Sequence, residues 1–196
     1  MVPGVQIRHL ALVAVSLVLG SCATRDNVHT VKVSVADEKM IVYRHDVPIA
    51  TYRVSTSKFG LGDRPGSKAT PLGKLEIAKK IGGGQPAGMK FKSRRPTGEI
   101  VRVNAPGRDP IVSRILWLRG LEPQNRNAFG RTIYIHGTPE EWKIGQPASY
   151  GCVRMTSEDV ISLYNTVGVG AKVEITRERF PDASLAGNST PAVARN

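Results

Sequence analysis

Short segments in which apolar and polar residues alternate recur along most of the chain, and this pattern predicts β-strands. Val31 to Val35 alternates with a period of two, which places its apolar side chains on one face of a strand. The segment 111–118 is apolar at most positions and predicts a buried strand. Together the predicted strands cover residues 31–35, 40–43, 49–54, 74–81, 89–91, 111–118, 132–135 and 171–175.

One segment has helical spacing instead. Thr156 is a suitable N-cap, acidic residues follow it in the first turn, and Gly168 ends the segment. Positions i, i+3, i+4 and i+7 of this helix hold Val160, Leu163, Tyr164 and Val167. A series of strands with one helix predicts a mainly β fold, either a compact β-sandwich or an open barrel. The glycine-rich segment 82–88 is expected to be a flexible hairpin tip between two strands.

Composition supports one domain and suggests the nature of its partner. The chain has 196 residues, 40% of them apolar, which is enough for a single hydrophobic core. The patterned part, 30–176, is predicted to be that domain, and 177–196, rich in Ala, Ser, Pro and Asn, a disordered tail. A net charge of +12 indicates a polyanion or an acidic surface as partner.

Five of the 28 cations cluster in the segment 90–102, namely Lys90, Lys92, Arg94, Arg95 and Arg102. Aromatic residues are not interleaved with them as in proteins that bind single-stranded nucleic acid, so we predict no nucleic-acid partner. Two interpretations of this segment remain. It is either a solvated loop face or a region attracted to anionic wall polymers or lipid headgroups.

The N-terminal residues 1–21 have the organisation of a secretory signal peptide. A basic residue precedes the apolar run 10–19, which is shorter than a membrane-spanning helix. The run ends in Leu-Gly-Ser-Cys22, which resembles a bacterial lipobox, so we predict cleavage before Cys22 and lipidation of its thiol. Residues 22–29 would then be a lipid anchor and tether, holding a periplasmic protein to the outer membrane. The alternative is ordinary cleavage nearby, which leaves Cys22 free or buried.

The two cysteines of the chain are Cys22 and Cys152. If Cys22 carries lipid, Cys152 cannot form a disulfide with it, and a lone thiol in an oxidising compartment is a liability unless chemistry requires it. His136 follows the predicted strand 132–135, whereas the other histidines lie in the signal, the tether and a polar turn. A thiol and an imidazole are the groups used in nucleophilic acyl transfer. The alternative for Cys152 is a small buried residue of the core.

The stretch from Thr132 to Met155 resembles the catalytic motif of the L,D-transpeptidases (YkuD-type domains), which cross-link bacterial peptidoglycan. His136-Gly137 is similar to the first block of that motif, and Ser149-x-Gly-Cys152-Val-Arg154 to the second. Tyr150 departs from the pattern, since family members commonly have histidine there. The resemblance covers about residues 30–176, and a Thr-Pro-x-Gly turn at 70–73 extends it. We expect that turn to shape the sheet or to line the substrate cleft.

This resemblance implies a reaction on peptidoglycan stem peptides. Cys152 would attack the carbonyl of meso-diaminopimelate in a tetrapeptide, release D-Ala and form a thioester, which an amine of a neighbouring stem peptide resolves into a 3-3 cross-link. His136 would be the base and Gly137 its orienter, and backbone N–H groups around Gly151 and Cys152 would form the oxyanion hole. The motif implies no cofactor. One histidine and one thiol are also too few for a metal ligand set.

Three further positions of the motif have candidate roles. Arg154 is either the partner of a substrate carboxylate or part of a structural ion pair. Tyr150 either donates a hydrogen bond to substrate or packs, and Ser149 is a candidate substrate contact. The alternative functions are transfer to water (carboxypeptidase or amidase), transfer to a lipoprotein lysine, and a non-catalytic wall-binding lipoprotein.

Overall fold

The computed structural model describes residues 25–107 and 109–181. The predicted signal peptide, the lipidation site Cys22 and residues 182–196 of the predicted tail lie outside these ranges. The elements are β1 (His29–Ser34), β2 (Lys39–Arg44), β3 (Val47–Arg53), β4 (Gly73–Ile81), β5 (Met89–Lys92), β6 (Arg95–Ile100), β7 (Ile111–Gly120), β8 (Tyr134–Gly137), β9 (Val153–Met155), α1 (Ser157–Thr166) and β10 (Lys172–Thr176).

Within the described ranges the strands form one mixed sheet. Eight of them follow the order β3-β2-β1-β10-β4-β7-β5-β6, and β8 pairs with β7 on one side and with β9 on the other. The β1–β10 and β8–β9 pairs are parallel, while the remaining pairs are antiparallel. The prediction of a mainly β fold with one helix after Cys152 is therefore confirmed. In this part of the chain, no helix is long and apolar enough to span a membrane.

One expectation about the middle of the chain is wrong. The segment 82–88 does not join a hairpin, because β4 and β5 do not pair with each other; both pair antiparallel with β7, β4 along residues 115–120 and β5 at residues 111 and 112. The basic segment, for which a solvated loop face is one of two interpretations, is solvated but contains the edge strand β6, whose residues are all exposed. Pro96 and Gly98 lie within β6, and an edge strand tolerates proline because one of its sides has no partner strand.

The core lies between the sheet and α1. The main cluster includes Val31, Leu116, Ile135 and Leu163, each fully buried. Thr156 caps the helix, since its Oγ1 accepts a hydrogen bond from Asp159 N at 3.1 Å, as its sequence predicts. A second, smaller cluster consists of Met89, Phe91, Ile115 and Tyr134, and Cys152 packs against its edge. The candidate thiol is therefore positioned by the second cluster.

Candidate active site

The parallel pair β8–β9 brings the two predicted catalytic residues together. Ile135 pairs with Val153, which places Cys152 beside Tyr134, and the Tyr134 N–H donates to Sγ of Cys152 at 3.3 Å. Tyr134 and His136 project from the same face of β8 because side chains alternate along a strand. Cys152, which immediately precedes β9, and His136 are thus diagonal neighbours, with backbones about 7–8 Å apart.

The sulfur of Cys152 is half-buried, and its described hydrogen bonds are both with the backbone of the segment entering β8. It accepts from Tyr134 N and donates to the carbonyl oxygen of Thr132 at 3.6 Å. Within the described ranges it makes no hydrogen bond with His136. The resting thiol proton therefore points to Thr132, and a rotation of the side chain would be needed to direct it toward the imidazole.

His136 is held in one orientation by its own neighbour. Its side chain is buried, and Nδ1 lies 2.9 Å from the carbonyl oxygen of Gly137. Because a carbonyl oxygen only accepts hydrogen bonds, Nδ1 carries the proton and the neutral ring presents Nε2 as a base. Gly137 packs closely here, since an added Cβ would lie 2.7 Å from the carbonyl oxygen of Val112. The orienting role expected of Gly137 thus has the geometry that it requires.

Burial acts on both groups and favours their neutral forms. Burial raises the pKa of the Cys152 thiol to about 11, although the Tyr134 N–H and the cations of Arg131 and Arg154 act in the opposite direction. Burial also lowers the pKa of His136, against the opposing effects of the Gly137 carbonyl and Asp109. The resting pair at neutral pH is consequently a thiol and a neutral imidazole, which differs from a thiolate–imidazolium ion pair.

The loop that precedes the thiol is stabilised by its own hydroxyl groups. Ser149 Oγ donates to the carbonyl oxygen of Cys152 at 2.5 Å and accepts from the N–H of Gly151 at 3.2 Å. Gly151 has a φ of +119°, and an added Cβ would lie 3.1 Å from the carbonyl oxygen of Ala69, so glycine is required. Thr70 Oγ1 donates to the carbonyl oxygen of Gly151 at 3.2 Å. The 70–73 turn therefore braces the loop that carries Cys152.

The buried side chain of Glu38 stabilises this loop through hydrogen bonds with Thr56. Glu38 is 4% exposed and accepts hydrogen bonds from Thr56 N and Thr56 Oγ1, both at 2.6 Å. The carbonyl oxygen of Thr56 in turn accepts from the N–H of Ser149 at 2.9 Å. Burial raises the pKa of Glu38 even though both hydrogen bonds act to lower it. This chain of contacts fixes the start of the catalytic loop.

Arg154 belongs to an ion-pair network with Asp109, Glu140 and Lys143. It is 2% exposed, and its Nη1 contacts carboxylate oxygens of Asp109 and of Glu140, the latter at 3.1 Å. Glu140 also pairs with Lys143 at 2.7 Å. Of the two alternatives for Arg154, this arrangement is that of a structural ion pair. Its Nε and Nη2 are buried without a hydrogen-bond partner among the described residues.

Sequence reasoning did not identify Asp109, Glu140 or Arg131. Asp109 and Glu140 pair with Arg154 from separate loops. Arg131 pairs with buried Asp63 at 2.8 Å, and its charge acts to lower the pKa of the Cys152 thiol. No periodicity or motif marks these residues, because they meet only through the tertiary fold. Tyr150 is 59% exposed and contacts Phe59, with ring centroids 5.2 Å apart, so its ring lies on the surface.

Known proteins resemble this chain in sequence across the same region. The sequence profile of the L,D-transpeptidase catalytic domain family (YkuD) matches residues 29–175. YkuD of Bacillus subtilis (strain 168) is 35% identical over 88 residues, which cover 45% of this chain and 49% of that protein. YqjB of the same organism is 45% identical over 47 residues, covering 24% of this chain and 27% of that protein. The alignments thus span about half or less of these curated relatives.

Solved structures share the fold at low sequence identity. An L,D-transpeptidase from Xylanimonas cellulosilytica DSM 15894 has a TM-score of 0.50 and 13% identity, over 78% of this chain and 62% of that one. L,D-transpeptidase 3 from Mycobacterium tuberculosis, solved with a faropenem-derived adduct, has a TM-score of 0.50 and 16% identity, over 76% and 60%. At such identities the likeness concerns the fold. Since the family profile spans most of the chain, the protein belongs to the L,D-transpeptidase catalytic domain family.

Proposed function

We propose that this protein is a cysteine acyltransferase that forms a thioester with a peptidoglycan stem tetrapeptide and transfers it to an amine acceptor. The observation that carries the proposal is the placement of Cys152 and His136 on one face of the parallel β8–β9 pair, with Nδ1 of His136 donating to Gly137. Family membership supports peptidoglycan as the substrate class. The 3-3 cross-link is the product that follows when the acceptor is the side-chain amine of a neighbouring diaminopimelate.

Acylation begins when the thiol rotates from Thr132 toward Nε2 of His136. Nε2 takes the proton while Sγ attacks the carbonyl carbon of diaminopimelate, and the displaced electron pair forms an oxyanion. The oxyanion collapses, the bond to the D-Ala nitrogen breaks, and the amine leaves with the proton from Nε2. The acceptor amine then attacks the thioester, gives a proton to Nε2, and the sulfur leaves as the re-formed thiol. One amide bond is exchanged for another.

The oxyanion donor in this proposal is the N–H of Cys152 itself. The N–H of Gly151, the other candidate, already donates to Ser149 Oγ at 3.2 Å. Ser149 would then act by shaping the loop, and Arg154 by holding Glu140 and Asp109 beside it, in addition to any direct contact with the peptide. A preorganised backbone donor at a developing oxyanion contributes about 2.7–4 kcal/mol to transition-state stabilisation.

Export is part of the same proposal. A substrate in the cell wall requires a signal peptide at residues 1–21, and lipidation of Cys22 would hold the domain at the outer membrane with 22–29 as tether. Mass analysis of the mature protein tests this directly: a diacyl- or triacyl-modified N-terminal Cys22 supports it. An unmodified N-terminus elsewhere would restrict the proposal to a soluble exported enzyme.

The deciding experiment incubates purified protein with disaccharide-tetrapeptide and resolves the products by mass. We expect loss of D-Ala, a thioester on Cys152 and a cross-linked dimer. Tripeptide alone would indicate water as the acceptor, and wall binding without any adduct would indicate a non-catalytic tether. Faropenem, found as an adduct in the Mycobacterium tuberculosis structure, serves as an independent acylating probe of the thiol.

Matched variants assign the two roles. Cys152→Ala should abolish both the thioester and the faropenem adduct, because no nucleophile remains. His136→Ala should reduce the acylation rate by about 10²–10⁴-fold, the usual contribution of a general base. His45→Ala, at an exposed turn, is the control and should leave the rate unchanged. Full activity in His136→Ala would mean that another group removes the thiol proton.

A further inference from the structure

Two lysines and two aromatic rings form an exposed platform beside the catalytic loop. The rings of Phe59 and Tyr150 are 48% and 59% exposed, and their centroids are 5.2 Å apart. Nζ of Lys58 lies 5.3 Å from the Phe59 centroid and 4.8 Å from the Tyr150 centroid. Nζ of Lys68 lies 5.4 and 5.6 Å from the same two centroids. We call these four residues the cationic platform.

The platform is rigidly joined to the loop that carries Cys152. The N–H of Lys58 donates to the carbonyl oxygen of Ser149 at 3.2 Å, and Ser57 Oγ donates to the carbonyl oxygen of Lys68 at 2.5 Å. Tyr150 is itself two residues before the thiol, so their backbones are at most about 7 Å apart. The platform and Cys152 are therefore parts of one braced unit.

The charges of the platform have no described counter-ion. Neither Lys58 nor Lys68 forms an ion pair with any carboxylate in residues 25–107 and 109–181. Lys68 moreover has a φ of +57°, a left-handed conformation in which lysine is strained and asparagine or glycine is favoured. The cation–π contacts hold both ammonium groups in place and so reduce the entropy that they would lose on binding an anion.

Arg154, another basic residue close to Tyr150, is already paired with carboxylates. A cavity of about 330 Å³ is lined by Lys58, Tyr150 and Arg154 among other residues. Two other cations line this cavity, but Arg154 is paired with two carboxylates and Lys143 with that of Glu140. Lys58 is the lining cation without a described carboxylate partner, so an anionic group in the cavity is attracted to it.

We propose that the cationic platform binds the side-chain carboxylate of the donor diaminopimelate and so selects donors with a free acid at that position. This inference rests on the proposed stem-peptide substrate. Six C–C bonds separate the attacked carbonyl carbon from the side-chain carboxyl carbon, about 7–8 Å when extended. The platform includes Tyr150, two residues from Cys152, so a carboxylate at this distance from the acylated sulfur lies within the range of the platform.

The test compares two synthetic tetrapeptides that differ only in this group, one with the free side-chain carboxylate and one with the carboxamide. Their dissociation constants for the Cys152→Ala protein, which binds without turnover, are measured at low and high salt. We expect the free acid to bind about tenfold more tightly at low salt and the difference to shrink as salt screens the charges. Lys58→Gln/Lys68→Gln in the same background should remove this preference and leave the affinity for the carboxamide unchanged.

Lys32→Gln is the matched control, because Nζ of Lys32 lies 5.2 Å from the Tyr43 ring centroid on a distant strand and should not influence the preference. Equal affinity for the two peptides, or a preference that survives the double substitution, would overturn the inference. Thioester formation by the unsubstituted protein is scored separately by mass. A thioester without a charge preference refutes only the platform, whereas a charge preference without a thioester refutes only the acyltransfer proposal.

Discussion

At the scale of single residues, the site combines an unreactive resting thiol with a base held ready for it. The sulfur donates to Thr132 and lies in surroundings that favour its protonated form, while Nε2 of His136 is left available by the bond from Nδ1 to Gly137. Such a pair keeps the thiolate rare, which protects the cysteine from oxidation. In the proposed reaction, proton removal and attack on the substrate carbonyl would occur together.

The pH dependence of alkylation tests this state of Cys152. With a pKa of about 11, only roughly one thiol in ten thousand is ionised at pH 7, so the rate of reaction with iodoacetamide should increase about tenfold per pH unit up to about pH 10. The measurement follows adduct mass against time, with circular dichroism to verify folding at each pH. Glutathione is the control and should level off near its ordinary thiol pKa. A plateau for Cys152 below pH 8 would instead indicate a thiolate–imidazolium pair.

The sequence identified the candidate thiol and imidazole but not their environment. Cys152 and His136 stand in a local motif, and Gly137 and Gly151 lie beside them, so all four could be predicted. The pairing of Arg154 with Asp109 and Glu140 could not, because these acids come from loops without periodicity and their approach depends on the tertiary fold. The same is true of Phe59, whose contact with Tyr150 joins distant segments.

At the scale of elements, strands with one face buried could be predicted from the sequence, whereas a fully exposed strand could not. β1 and β2 alternate because one side of each faces the core, whereas β6 is exposed on both sides and gives no hydrophobic pattern. The order of the strands was beyond local reasoning, since β4 and β5, which follow each other in sequence, pair with β7 and not with each other. The helix was predicted with its cap because spacing, N-cap and closing glycine all agree.

A lysine of another element, Lys80 on β4, caps the C-terminus of α1. Nζ of Lys80 on β4 donates to the carbonyl oxygens of Tyr164 and Val167, both at 2.6 Å. Burial lowers the pKa of Lys80, although the charge of Asp26 acts to raise it. These two bonds satisfy carbonyl groups that the end of a helix leaves without intrahelical partners.

Replacing Lys80 with methionine should therefore destabilise the fold by about 1–3 kcal/mol. Methionine retains an unbranched apolar stem but leaves the two carbonyl groups buried without donors. Urea denaturation followed by circular dichroism measures the change in the free energy of unfolding. Lys74→Met, at an exposed position of the same strand, is the control and should change it by less than about 0.5 kcal/mol. Equal effects of the two substitutions would show that Lys80 does not cap the helix.

At the scale of the whole molecule, the fold depends on contacts between segments far apart in sequence. β1 pairs in parallel with β10, and the segment before β1 crosses to the loop between α1 and β10. Asp26 makes this connection, since its carboxylate accepts from Gly168 N at 2.6 Å and from His29 N at 3.0 Å, while Asp26 N donates to the carbonyl oxygen of Val169 at 2.8 Å. His29 Nδ1 also lies 2.9 Å from the carboxylate.

The charge of Asp26 should make stability depend on pH in a defined direction. Burial acts to raise its pKa, but the hydrogen bonds from Gly168, His29 and Val28 outweigh burial and leave the pKa of Asp26 below its ordinary value of 3.8. A carboxyl group whose folded pKa is lowered stabilises the protein above its unfolded pKa, and this contribution is lost as pH falls through the folded pKa. The stabilisation is therefore complete at pH 6–7 and declines below about pH 4.

Asp26→Asn isolates this contribution, because asparagine has the same shape but can neither carry the charge nor accept at both positions. We expect a loss of about 1–3 kcal/mol in the free energy of unfolding at pH 7, measured by urea denaturation, and a smaller loss at pH 3, where the carboxyl group of the unfolded chain is protonated and part of the stabilisation is already gone. Asp46→Asn is the control, since Asp46 is exposed in the turn between β2 and β3, where a φ of +65° suits asparagine equally well. A loss that is the same at both pH values would mean that packing around residue 26, and not its charge, joins the two distant segments.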